Sequence, residues 1–187
     1  MGSFLDNLLA GFTQLETGMP IMALLVASLW LLQCLNWMMR YKLNMLGIYP
    51  RHPFGLIGIA FSPLLHQDFR HLFLNSIPLF ILLSFIFVYG PQTLIQLTIV
   101  IVLLSGLGIW FFGRRGIHIG ASALVMGYFG FILAVAIKTQ NPLAIIIAVV
   151  CLFYLGSLIG SLFPTRDRTS WEGHLAGFLA GIAYVFF

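Results

Sequence analysis

The stretch HLFLNSIPLFILLSFIFVYGPQTLIQLTIVIVLLSGLGIWFF, residues 71–112, contains no Asp, Glu, Lys or Arg. A transmembrane helix needs about 20 apolar residues, so this stretch is long enough for two. Gly90-Pro91 divides it into 71–89 and 91–112, and Arg114 and Arg115 close the second half. The apolar runs are continuous rather than alternating, which predicts helices and not a barrel. Working outward, four more spans follow. They are 19–39 (between Pro20 and Arg40), 119–138 (ending at Lys138), 142–162 (opened by Pro142) and the shorter 172–187. Residues 1–18 are mildly amphipathic and are expected to lie along the interface. Residues 43–65 are apolar but interrupted by Gly47, Pro50, Pro53, Gly55, Gly58 and Pro63, which predicts a loop dipping into the interface. The expectation is an all-α membrane protein, one domain over 1–187, with six transmembrane helices and a partly embedded first loop.

Composition agrees. Apolar residues make up 60% of the chain, charged residues 7%, and mean hydropathy is +1.03. A soluble domain carries roughly 25% charge, so this chain cannot cover a water-facing surface. The net charge of +4 comes from Lys and Arg residues that lie almost all in loops, which suits a lipid bilayer and not nucleic acid. Cys34 and Cys151 fall inside apolar runs and read as small buried residues rather than a disulfide. Trp30, Trp37 and Tyr41 read as interfacial anchors.

Three polar motifs stand out against this background: His66-x4-His71-x3-Asn75, Gly120-Ala121-Ser122-Ala123, and Gly173-His174-x2-Gly177. Polar side chains at membrane depth are costly and mark function. The second, fourth and sixth spans all begin on one side of the membrane. His71, Ser122 and His174 lie within about the first turn of those spans, so the motifs converge on one face. Serine is a weak nucleophile without a base beside it, and neutral His174 supplies one. His71 and Asn75, four apart, share a helix face. With the Ser122 backbone N–H they make three donors for a developing oxyanion. Glu172 lies roughly opposite His174 on its helix, and Asp167 sits beside Arg166 and Arg168, so the expected unit is a Ser–His dyad without a carboxylate. Gly177 and Gly181 share the face of His174, and Ala123, Gly127 and Gly130 make a second smooth strip. Such stripes let helices approach closely. The Cys and His spacings of a metal site are absent. His118 and His52 read as loop or surface residues.

The same residues resemble the rhomboid family of intramembrane serine proteases. The pattern reads here as His71-Leu-Phe-Leu-Asn75, Gly120-Ala-Ser122-Ala123, and His174-Leu-Ala-Gly177-x3-Gly181. The resemblance implies Ser122 as nucleophile and His174 as general base. It also implies His71, Asn75 and the Ser122 amide as oxyanion donors, with His66 in a structural role. It further implies transmembrane protein substrates reaching the site laterally beside the fifth helix, and no metal or cofactor. Gly120, Met126, Gly177 and Gly181 are expected as support. Family members commonly carry an aromatic residue where Met126 stands. Many also carry a Trp-Arg pair in the first loop, which residues 40–70 lack.

Charge placement cuts across the resemblance. The catalytic-side loops hold Arg40, Lys42, Arg51, Arg70, Arg114, Arg115, Arg166 and Arg168, and the other side holds Lys138. The positive-inside rule turns that face to the cytoplasm. The resemblance to bacterial members turns it outward from the inner membrane, and we follow the resemblance. Two rival readings are a catalytically inactive relative that binds membrane clients and a small transporter. The first lacks the usual loss of the serine or histidine. The second lacks an intramembrane carboxylate and an inverted repeat. Oligomeric state is not encoded in any of these features.

Overall fold

The computed structural model describes residues 2–164 and 170–187. Arg166, Asp167 and Arg168, and the expected pairing among them, lie outside the described residues. The described chain is helical. Among the described residues, five helices are long and apolar enough to cross a membrane, and a shorter apolar helix packs with them.

The first helix, α1, runs unbroken from Gly2 to Met38. Residues 2–18, expected as a separate interfacial segment, are therefore the first half of α1. Tertiary packing accounts for this: a Cβ on Gly11 would meet Leu143 and Val88, and one on Gly18 would press into the Phe87 ring. The helix is held against its neighbours through residues that look amphipathic in isolation. Trp30 also departs from expectation. Its indole N–H donates to Ser76 Oγ at 3.0 Å, so it points into the bundle. Both cysteines are free thiols, but Cys34 is exposed on the outer side of α1 and only Cys151 is buried.

The first loop carries 3-10 turns at Lys42–Leu46, Pro53–Leu56 and Ser62–Leu64, with a short helix α2 at Gly58–Phe61. Met45, Phe54, Leu56, Ile57, Phe61 and Leu64 are exposed on it, as befits a loop facing lipid. The loop is also fixed from within. Ile48 and His118 form an isolated antiparallel bridge, and the Arg51 guanidinium donates to the Phe111 carbonyl.

The remaining helices are α3 (Phe69–Phe87), α4 (Pro91–Phe112), α5 (Ser122–Thr139), α6 (Pro142–Leu155) and α7 (Trp171–Phe186). Asp68 caps α3, its carboxylate accepting from His71 N at 2.7 Å. Pro91 and Pro142 stand at first helical positions, where the missing N–H removes no bond. Helix α6 narrows into a 3-10 segment over Gly156–Leu162, within the expected fifth span. Helix α5 is the centre of the bundle. Its buried face includes Val125, Met126, Tyr128, Phe129 and Ile132.

Candidate functional site

Ser122 is the first residue of α5. The first N–H groups of a helix have no intrahelical acceptor, so the Ser122 amide is a donor available to a ligand. The residues before it are tightly placed. Gly120 has φ +123°, a left-handed conformation that a side chain resists, and a Cβ there would meet His71 Cε1 at 2.6 Å. Glycine at this position thus serves two ends: it makes the turn into α5 and it lets the His71 ring lie over that turn. Gly120 N donates to Ser62 O at 2.9 Å, and Ala121 N donates to His66 Nε2 at 3.3 Å.

His66 is fully buried, and its ring meets that of His71 edge to face with centroids 5.2 Å apart. Because Nε2 accepts from Ala121, the ring is neutral. Burial, with the nearby His71 adding to it, pushes the His66 pKa down to about 4. A chain of polar contacts leads back to α1. His66 O accepts from Asn44 Nδ2, Asn44 Oδ1 accepts from Asn36 Nδ2, and Asn36 Oδ1 accepts from Leu43 N. His66 is thereby hydrogen-bonded to the peptide just before Ser122.

His71 lies in the first turn of α3, and Asn75 sits one turn further, buried. Asn75 Nδ2 donates to His71 O at 2.9 Å. One amide hydrogen is thereby held by the helix and the second is left for another acceptor.

His174 lies in the first turn of α7 and is buried. Its Nδ1 is 3.2 Å from Ser161 O. A carbonyl oxygen only accepts, so Nδ1 carries the hydrogen and Nε2 presents its lone pair. Ser161 was invisible to sequence reasoning because the acceptor is a backbone atom. Ser161 Oγ in turn donates to Leu158 O at 2.6 Å and lies 3.9 Å from Met126 Sδ. Met126 thus lies beside the residue whose carbonyl bonds the histidine ring.

The two small-residue strips meet. A Cβ at Gly177 would collide with the Ala123 backbone, and one at Gly181 with the Gly127 backbone. Both pairs carry the same offset along the chain, so α5 and α7 run parallel in one register. That register sets His174 level with Gly120, two residues before Ser122. Among the described residues no hydrogen bond joins Ser122 to His174 directly; the His174 ring is held by Ser161 alone. The Glu172 carboxylate is engaged by Arg114, with Nε to Oε1 at 2.7 Å.

A cavity of about 30 Å³ lies between the first loop, α4, α5 and the start of α7, lined by Ser62, Ser105, His118, Ser122 and Ser170 among others. It is large enough for a water molecule. A larger groove between α4 and α7 opens on the outer surface and reaches neither Ser122 nor His174. Among the described residues no group of three or more His, Cys, Asp or Glu side chains is placed to hold a metal ion.

The Rhomboid domain profile matches residues 53–187, which holds every candidate site residue. An uncharacterized protein of Mycobacterium tuberculosis (strain ATCC 25618 / H37Rv) is 34% identical over 166 residues, covering 84% of this chain and 69% of its own. An uncharacterized protein of Mycobacterium bovis matches to the same extent. One from Mycobacterium leprae is 32% identical, covering 84% of this chain and 66% of its own. With its multi-pass helical bundle and this profile match, the chain belongs to the rhomboid family.

Proposed function

We propose that this protein is an intramembrane serine endopeptidase that cleaves transmembrane-helix substrates with a Ser122–His174 dyad. The observation that carries the reading is the seam between α5 and α7. Backbone contact at Gly177 and Gly181 lays the helix bearing His174 along the helix bearing Ser122, with both residues at one end. The Ser161 carbonyl fills the orienting role that a carboxylate plays in a triad, holding Nδ1–H so that Nε2 is the base.

The chemistry follows. Substrate engagement brings Ser122 Oγ–H onto His174 Nε2, tightening a pair that is open at rest. Ser122 Oγ attacks the scissile carbonyl and its proton passes to Nε2. The oxyanion is met by the Ser122 amide at the helix start, a ring N–H of His71, and the free amide hydrogen of Asn75. The tetrahedral intermediate collapses, the C–N bond breaks, and the leaving amine takes the proton from Nε2. Water then attacks the acyl-enzyme and gives a proton to Nε2; the ester C–O bond breaks, Ser122 Oγ takes that proton back, and the new carboxyl terminus leaves. No step calls for a metal or a cofactor. In this reading the protein sits in the inner membrane with its active face outward, and substrates approach beside α6.

The test is cleavage of a reporter transmembrane substrate in vesicles. The expected result is cleavage by the wild type and none by Ser122→Ala or His174→Ala with folding retained. Cleavage that survives both substitutions, or no cleavage by any form, contradicts the proposal; the latter is what an inactive client-binding relative would give.

A further inference from the structure

His118 and Ser170 stand at matching places: His118 is four residues before Ser122, and Ser170 is four residues before His174. They touch, with His118 Nδ1 and Ser170 Oγ 2.8 Å apart. The hydrogen positions follow from the partners. His118 Nε2 is 2.8 Å from Arg114 O, a carbonyl that only accepts, so Nε2 carries the hydrogen. In the neutral ring Nδ1 is then an acceptor, and the Ser170 hydroxyl donates to it. Ser170 Oγ also accepts from Gly173 N at 3.3 Å, as the N-cap of α7. Every side-chain polar atom of the pair has a partner.

The backbone anchors are equally direct. His118 N donates to Ile48 O at 2.9 Å and its own carbonyl accepts from Ile48 N at 3.0 Å, tying it to the first loop. His174 N donates to Ser170 O at 3.2 Å. One side-chain hydrogen bond therefore connects a residue fixed to the first loop with the residue that anchors the His174 peptide. It sits at the open end of the α5–α7 seam, where the glycine contacts at Gly177 and Gly181 no longer reach. The nearby Arg114–Glu172 ion pair joins the end of α4, not the start of α5, to the start of α7, and its arginine side chain is half exposed and therefore weakly constraining.

We infer that His118 and Ser170 form a clasp that sets the separation of Ser122 and His174. They are positioning residues, and neither touches substrate. The inference rests on the dyad reading. Misplacement of a reacting group by about 1 Å costs on the order of a hundredfold in rate. Loss of one such bond is expected to cost about tenfold in kcat, with KM unchanged because the substrate-binding surface is untouched.

The experiment measures kcat and KM on the reporter substrate, Ser122 labelling by a fluorophosphonate, and melting temperature. The variants are His118→Ala, Ser170→Ala, the double variant, His118→Asn, His118→Gln and Ser170→Thr. Asn places an acceptor where Nδ1 stood and can still receive the Ser170 hydroxyl, whereas Gln places its amide where Nε2 stood. The expected result has three parts. Each alanine variant loses about tenfold in kcat, and the double variant loses no more than one of them. His118→Asn and Ser170→Thr recover most of the rate, and His118→Gln does not. The melting temperatures of His118→Asn and His118→Gln stay together. Additive losses, or recovery by Gln and not by Asn, would overturn the clasp. So would a melting-temperature change that accounts for the whole rate loss. Absence of Ser122-dependent labelling in the wild type would instead overturn the dyad reading, and the clasp's role with it. Normal wild-type labelling with unaltered variants overturns the clasp alone.

Discussion

Glycines occur in both helices that flank the candidate base, yet the two sets do opposite things. On α7, Gly177 and Gly181 are pressed against the backbone of α5, with no room for a methyl group. On the 3-10 segment that ends α6, Gly156 and Gly160 have nothing within 4 Å of where a Cβ would stand. The spans differ in the same sense. Of the most apolar window, 61% is buried for α5 and 28% for the span Pro142–Leu162. Ser122 and His174, the proposed nucleophile and base, are thus carried on a seam that cannot open without loss of contact. The carbonyl that orients the base, Ser161 O, comes from a segment with free space around it. A tight seam keeps Ser122 and His174 in register. Under the proposed function, the looser neighbour is where a bilayer-embedded substrate would gain access with least disruption.

The sharpest way to break this comparison is one substitution made in both places. Gly177→Ala or Gly181→Ala drives a methyl group into a neighbouring backbone, which costs about 1–3 kcal/mol or more in overpacking. Displacing His174 from Ser122 is expected to lower reporter cleavage by about a hundredfold, measured in vesicles against the wild type. Gly120→Ala strains the turn into α5 from the side of α3. It forces a side chain to φ +123° and into the His71 ring, and cleavage is expected to fall at least tenfold.

A third perturbation is pH. The folded pKa of His66, about 4, lies below the ordinary value of 6.5, so the fold binds fewer protons than the unfolded chain. Stability is therefore full above pH 6.5 and declines as pH falls from there toward about 4, by up to roughly 3 kcal/mol from this residue. His66→Gln keeps an acceptor for Ala121 N and removes the titration. Melting temperatures in detergent at about pH 7.5 and about pH 4.5 are expected to differ less for His66→Gln than for the wild type. An equal pH response in the two proteins would remove His66 from the account. The smallest effect belongs to the loose helix. Gly156→Ala and Gly160→Ala are expected to stay within about 0.5 kcal/mol of the wild type and to cleave the reporter normally.

These contrasts separate what the sequence discloses from what it hides. Hydropathy and the proline and arginine boundaries disclose the spans, because a bilayer imposes length and apolarity directly. The small residues at 123, 127, 177 and 181 disclose the seam, because side-chain size alone governs how closely two helices approach. Ser122, His71 and His174 emerge as polar residues at helix starts. Tertiary partners are hidden. Ser161 acts through its backbone, which any residue supplies. His118 and Ser170 matter because two loops meet, although Ser170 ahead of an apolar run is itself a helix-cap signal. The unbroken α1 depends on contacts with Phe87, Val88 and Leu143 that local amphipathicity does not reveal. The cavity beside Ser122 is bounded on one side by α4, a helix that carries none of the three motifs.

The central claim is that Ser122 is a nucleophile activated by His174. Its most direct test is the rate at which a fluorophosphonate modifies the detergent-solubilised protein, with the labelled residue located by mass spectrometry. The account predicts a single adduct on Ser122, lost in Ser122→Ala and slowed by several orders of magnitude in His174→Ala. Modification elsewhere, or a Ser122 that reacts as readily without His174, would contradict it.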